Sequence, residues 1–358
     1  MRAAILRNGA MVVDDIPELH PGPSQVLVST IACGICGSDL HAVDHLHDLV
    51  STAQDVGSTT FTLDADRDLV MGHETSVLVE EVGSEVDGIR PGTAMTAMPA
   101  LTTVEGAFAV PGYDNTYPGG FAQRMLLDPG ALLPVPNGLD PVVAALTEPM
   151  AVGLHAVNQS SAAEGRGAIV IGAGPVGLAV IAALSVLGAE PIVASDFSAR
   201  RRGLAAAMGA HVVLDPTEAA DRRAGLEACV DVWRQGAPPI PGPDETPVLF
   251  EAVGVPGMIE TTMTVAPPNS EIVVVGVCMA SDAFRPSVGI FKRLALRFVL
   301  GWSPEEFAAS MHHLAEGRID GAAMVTGEVR LDEVPDAFRA LGDPEEHIKI
   351  LVRPNESD

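Results

Sequence analysis

Residues 167–189, GAIVIGAGPVGLAVIAALSVLGA, carry no charge over 23 consecutive positions. An apolar run of that length could span a membrane. Its internal pattern argues otherwise, because a short β-branched stretch (Ala168 to Ile171) meets a glycine turn, and a helix-like stretch follows from Leu178. A buried strand leading into a buried helix reads this way, so no membrane partner is expected. In the turn, Gly172, Gly174 and Gly177, with Pro175 and Val176 between, permit a tight bend and let a pyrophosphate approach the positive end of the helix. The next apolar run, PIVAS, ends at Asp196, 19 residues beyond Gly177, where a second strand places an acid against the adenosine ribose. Turn and acid together predict a dinucleotide site.

Asp196 also bears on which dinucleotide. A carboxylate accepts hydrogen bonds from a ribose diol, whereas a 2′-phosphate would set like charges together at roughly 4 kcal/mol for a 4 Å pair near a protein surface. NAD is therefore expected over NADP. Arg200, Arg201 and Arg202 could bind that phosphate, but they follow the strand at a helix start and read as a solvated face. Only Arg201 is retained among the expected cofactor contacts.

Outward from this unit, helix-like and β-branched segments keep alternating: SARRRGLAAAMGA, HVVLD, VLFEAVG, PGMIETTMTV and EIVVVGV. That rhythm implies a parallel sheet covered by helices. The segment GAPPIPGPDETP (236–247) reads as a rigid connection inside the same domain. Up to about residue 130 the texture differs, with short alternating runs such as QVLVSTIA and SVLVEEVG between Gly/Pro punctuation, a mostly β pattern. The chain begins with two short strands around an Asn8-Gly9 turn and ends in a strand-like IKILV; Ser303-Pro304-Glu305-Glu306 reads as a capping box. The expected fold class is α/β, with a parallel-sheet domain at 151–297 inserted into a mostly β domain made of 1–150 and 298–358.

Forty-seven acids against 21 bases leave a net charge of −26, which repels phosphate backbones and anionic lipid, so nucleic acid is excluded as a partner. Four scattered cysteines make no disulfide framework, and the N-terminus shows no export signal. A cytoplasmic protein with reduced thiols is expected.

The chemistry-bearing residues lie at strand ends. Cys36, in CGICGSDLH, follows one apolar run, and Met71-Gly72-His73-Glu74 precedes another, so a thiolate, an imidazole and a carboxylate can face a common cleft; Glu148 in LTEPM is a further candidate donor. Zinc accepts these donor types in a tetrahedron, and a catalytic site keeps one position for water or substrate.

These stretches, with VEEVGSEVDGIRPG, GGFAQRMLL, LTEPMAVGLHA, FEAVGVPGMIE and HIKILV, make nearly the whole chain resemble the zinc-dependent medium-chain alcohol and polyol dehydrogenases. The resemblance implies a Rossmann domain inserted into a GroES-like catalytic domain. It also implies one catalytic zinc on Cys36 and His73, with Glu74 and Glu148 as ligand and near or alternating ligand. Asp39 would orient the ring of His73, leaving Cys33 as strand core. Ser38 and His41 match the family's proton relay. Val253 and the backbone of Val275, Gly276 and Val277 match its cofactor contacts, and Lys349 stands in for basic residues that reach the cofactor phosphate. A homodimer or homotetramer acting on a small alcohol or carbonyl compound follows. Two departures stand out. Residues 97–120 contain no cysteine, so no structural zinc is expected, and Gly92-Thr93-Ala94-Met95 replaces a GDRV-like turn. The 42–70 segment, with His45 and His47, reads as a surface or lid at the substrate entrance. Two rivals remain: a zinc-free NADPH-dependent quinone or enone reductase, which leaves Cys36, His73 and Asp196 without a purpose, and a non-catalytic NAD-binding protein.

Overall fold

Asn8 and Gly9 both take left-handed backbone angles, with φ 51° and 73°, and close the two-residue turn between strands β1 (Arg2–Arg7) and β2 (Ala10–Asp15). Only residues that tolerate positive φ fit such a turn. In this computed structural model residues 1–58, 60, 63–136, 138–234 and 245–356 are described. Most of the proline-punctuated 236–247 segment lies outside them.

After the hairpin come β3 (Val26–Gly34), α1 (Gly37–Asp55), β4 (Glu74–Val82), β5 (Ala94–Ala97), the short pair β6 (Leu101–Thr102) and β7 (Phe108–Ala109), β8 (Arg124–Leu127) and β9 (Leu132–Pro134). The helix α2 (Thr147–Asn158) leads into alternating strands and helices: β10 (Arg166–Ile171), α3 (Pro175–Val186), β11 (Glu190–Ser195), α4 (Ala199–Ala207), β12 (Val212–Leu214) and α5 (Arg222–Arg234). The series continues with β13 (Val248–Glu251), α6 (Met258–Val265), β14 (Glu271–Val274), α7 (Pro286–Lys292), β15 (Ala295–Phe298) and α8 (Pro304–Ala315). The chain closes with β16 (Val325–Val329), α9 (Val334–Ala340) and β17 (Lys349–Val352).

Two units result, one made of Met1–Glu148 with Val325–Asp358, the other of Pro149–Met324. The return to the first unit comes later than residue 298. β15 still pairs in parallel with β14, and Glu306 in the first turn of α8 accepts hydrogen bonds from His155 and Asn158 of α2, which ties the helix to the second unit.

In the second unit all six strands are parallel, in the order β12-β11-β10-β13-β14-β15. Numbered within the unit this is 3-2-1-4-5-6, the doubly wound dinucleotide order, whose connections reverse direction between β10 and β13. Helix α3 is buried on nearly every side from Gly177 to Leu184, which accounts for its lack of charge. Among the described residues no helix is long and apolar enough to cross a membrane.

In the first unit the sheet runs β16-β17-β3-β4-β5-β9, with β8 also on β3. Val26, Val28, Val77, Val79, Met125 and Leu127 pack on one side, while Cys33, Ile35, Met71 and Phe121 belong to a second cluster. β3 and β4 are antiparallel with Gly34 opposite Glu74, so the residues just after one strand and just before the other meet at one sheet end. Up to Asp55 the 42–70 segment is helix: Ala42, Leu46 and Ala53 are its buried residues in α1, and His45 marks a kink with φ −128°. His45 pairs with Asp48 at 3.0 Å, and exposed His47 lies 3.7 Å from Asp66.

Candidate functional site

Cys36 is the N-cap of α1, and its backbone N–H donates to Asp39 Oδ2 at 2.9 Å. Facing it from the start of β4 are His73 and Glu74, and one donor atom from each of the three lies within 4.8 Å of the others. His73 and Glu74 are buried. Gly34 makes the arrangement possible, because a Cβ there would stand 1.9 Å from Glu74 Oε2. Any side chain at that position would displace the carboxylate.

The site is rich in negative charge. Burial works against a charged His73 ring, but Asp39, Cys36 and Glu148 outweigh it and hold the imidazole well above its ordinary pKa. Asp39 Oδ1 faces His73 Nδ1 at 3.7 Å, beyond hydrogen-bond range, and neither atom has a hydrogen-bond partner among the described residues. Buried polar atoms without partners are costly. This donor set suits a borderline-soft divalent cation: thiolate, imidazole and carboxylate in place, with a second carboxylate behind the ring. Glu148, in the first turn of α2, is also buried, and its charge bears on His73 and Lys349.

Lys349 does not occupy the expected place. It is 1% exposed, and its Nζ donates to Glu74 Oε1 at 2.8 Å, Glu74 Oε2 at 2.7 Å and the Ile35 carbonyl at 3.0 Å. All three ammonium hydrogens are thereby used, so a cofactor phosphate would find none. Burial opposes its charge, but Glu74 and Cys36 outweigh that and raise its pKa.

Ser38 and His41 lie one turn apart on α1. Ser38 Oγ is 2.8 Å from Tyr113 Oη, and the Tyr113 ring lies 5.2 Å from that of His73, centroid to centroid. Desolvation, with the charges of Asp39 and Cys36, keeps the phenol pKa well above its usual value. Burial lowers the His41 pKa, with His45 adding to the effect and Asp44 opposing it. Cys33 is fully buried in β3, and all four cysteines are free thiols.

In the second unit Gly174 caps α3 and Pro175 opens it. A Cβ on Gly177 would stand 1.9 Å from the Gly172 carbonyl, while one on Gly174 would meet only Arg201 Nη1 at 3.8 Å. The turn is thus tight inside and open at Gly174, where a phosphate can approach the helix N-terminus. Val176 continues α3 within the same turn. Asp196 accepts from the Ala173 N–H at 2.7 Å and the Ser198 N–H at 2.8 Å, leaving a lone pair on each oxygen. Arg202 departs from the expected solvated face: it donates to the carbonyls of Asp196 and Phe197 and pairs with Asp215 at 2.8 Å.

Val275 and Gly276 both donate backbone N–H groups to the Glu251 carbonyl at 2.9 Å, so only their carbonyls and the half-exposed Val277 are available to a ligand. Glu251 Oε1 in turn accepts from Val253 and Gly254. The sequence left Tyr113 open between pocket wall and ordinary core, and it did not single out Glu251, whose signal was an acid ending an apolar strand.

A model described as the alcohol dehydrogenase GroES-like domain matches residues 22–137, and one described as zinc-binding dehydrogenase matches 175–316. The chain is 30% identical to the (R,R)-butanediol dehydrogenase of Bacillus subtilis, covering 99% of this chain and all of that one. It is 26% identical to the sorbitol dehydrogenase of the same organism, over 99% and 98%. The crystal structure of 2R,3R-butanediol dehydrogenase from Bacillus subtilis superposes with a TM-score of 0.78 at 28% identity, over 99% of both chains.

Proposed function

Because the chain belongs to the zinc-dependent medium-chain alcohol and polyol dehydrogenase family, we propose that it transfers hydride between NAD and a CH–OH substrate, an alcohol or its ketone or aldehyde. The observation that carries this reading is the Cys36–His73–Glu74 donor set, its imidazole and carboxylate buried, with Asp39 behind the imidazole. When bound, zinc supplies Lewis acidity toward a hydroxyl or carbonyl oxygen, and NAD supplies the hydride acceptor.

The chain's own residues do the rest. Cys36 and His73 hold the metal, and Asp39 steadies the ring. Glu74, held by Lys349, keeps a lone pair on each oxygen with which to join them, and Glu148 is the alternative carboxylate. Ser38 Oγ takes the hydroxyl proton, and the His41 imidazole releases it to water. The Gly172–Gly177 turn receives the pyrophosphate, and the free lone pairs of Asp196 receive the ribose diol, which favours NAD. Arg201 stands beside Gly174, on the phosphate side. Val253 and Val275–Val277 border the carboxamide.

One zinc per chain is proposed: segment 97–120 has no cysteine and is held by hydrogen bonds of Asp114 and Asn115 instead. The partner is a second copy of the chain. β15 is an edge strand, and Ile290, Phe291, Phe298 and Leu300, all between 62% and 83% exposed, give it an apolar surface that a soluble protein covers. Tetramers follow if two such dimers associate. Free thiols suit the cytoplasm, and the net charge of −26 disfavours nucleic acid.

Metal analysis combined with a panel of secondary alcohols and NAD at alkaline pH tests the reading. Zinc together with NADH formation supports it. Bound NAD without zinc or turnover indicates a non-catalytic protein, and metal-free reduction of enones with NADPH overturns the alcohol chemistry.

A further inference from the structure

Glu251 closes β13, in register with Ile171 of β10 on one side and Val274 of β14 on the other, beside the point where the strand order reverses. Its carbonyl accepts the Val275 and Gly276 N–H groups, and its Oε1 accepts those of Val253 and Gly254 at 2.8 and 2.9 Å. The 252–254 turn is wedged between the glycine turn and the 275–277 run: a Cβ on Gly172 would stand 2.9 Å from Val253 Cγ2, and one on Gly276 2.4 Å from the Gly254 nitrogen. The carboxylate is therefore fixed relative to both.

Among the described residues no cation pairs with Glu251, which is 1% exposed, and its Oε2 accepts no hydrogen bond. Burial, with the like charge of Asp282, holds its pKa above the ordinary carboxylate value against the two turn N–H groups. A buried carboxylate in this state gains from positive charge brought near it. The nicotinamide ring is positive in NAD⁺ and neutral in NADH, and at an effective dielectric of about 20 a unit charge within about 12 Å of another shifts an equilibrium by about ten-fold or more. We propose that Glu251 is a specificity-determining residue for the redox state of the cofactor: from behind the backbone that borders the carboxamide, its carboxylate shifts relative affinity toward the charged, oxidised ring. This rests on the dehydrogenase reading above.

The test measures the dissociation constants of NAD⁺, NADH and ADP-ribose, which lacks the ring, by isothermal titration calorimetry at alkaline pH, in the zinc-loaded full chain and two variants. Glu251→Gln keeps an oxygen for the Val253 and Gly254 N–H groups but loses the charge, whereas Glu251→Asp keeps the charge on a shorter arm. Glu251→Gln is expected to lower the NAD⁺-to-NADH affinity ratio by about ten-fold with ADP-ribose affinity unchanged, and Glu251→Asp to keep the parent ratio even if its absolute affinities fall. An unaltered ratio in Glu251→Gln, equal weakening of all three ligands, or a ratio lost to the same extent in Glu251→Asp overturns the assignment to Glu251 and leaves the dehydrogenase reading standing. If the intact, zinc-loaded chain binds neither nucleotide, both fall.

Discussion

Lys349 Nζ lies 2.7 and 2.8 Å from the two carboxylate oxygens of Glu74, and both side chains are 1% exposed. A buried ion pair of this kind sits beside donors that attract a cation of their own. Lysine and metal therefore draw on the same carboxylate. Replacing Lys349 by Met leaves Glu74 buried and uncompensated, and the zinc-free protein should lose about 3–5 kcal/mol of stability. Added zinc should restore much of that loss, because it supplies the missing positive charge. Thermal unfolding of Lys349→Met with and without zinc checks this; an equal loss in both conditions removes Glu74 from the metal's reach.

Cys36→Ser replaces the thiolate with a weak donor while leaving the N-cap position filled by a residue that caps well. Zinc content and alcohol oxidation should disappear together, with far-UV circular dichroism unchanged. Retained zinc in this variant would place the ion elsewhere.

His41 is held below the free imidazole value, first by burial and then by His45. Its neutral form is the one able to accept a proton, so the acid limb of kcat should fall below pH ~6.5. The same depression means that its contribution to stability is complete above the unfolded value and is lost as pH falls through the folded one. His41→Gln should lower kcat by about 100-fold and abolish that limb. A pH–rate profile identical to the parent's removes His41 from the relay.

Asp196→Ala deletes both the acceptor for ribose and the bond to the Ala173 N–H. KM for NAD should rise by about ten-fold or more, and the NADP-to-NAD ratio of catalytic efficiencies should increase as the like-charge penalty is removed. An NADP preference in the unaltered chain would reverse the assignment.

Phe298→Glu places a charge on the exposed edge of β15. Sedimentation should show a dimer or tetramer becoming monomer, whereas a monomeric parent chain would refute the self-association.

The expected elements held wherever local chemistry dictated them. The Asn8-Gly9 hairpin, the strand–turn–helix around Gly172–Gly177 and the capping box at Ser303 and Glu306 all stand in the structure. Each depends on residues a few positions apart, whose backbone angles and hydrogen bonds follow from their own side chains. The long helix over 37–55 was not expected, although Leu40, Val43, Leu46, Leu49, Val50 and Ala53 recur at helical spacing; the many polar residues between them and the kink at His45 dilute that stripe.

What the sequence by itself determined was the alternation of strands and helices, the glycine turn with its acid, and the kinds of donor available at positions 36, 73, 74 and 148. Only the tertiary structure decided which groups those donors meet. Lys349 and Glu74 are 275 residues apart in the chain, and Tyr113 and Ser38 are 75 apart. Their contacts follow from β17 pairing with β3, β3 pairing with β4 opposite Gly34, and a loop tied down by Asn115. Strand register and loop anchoring are summed over many residues, so no short stretch encodes them.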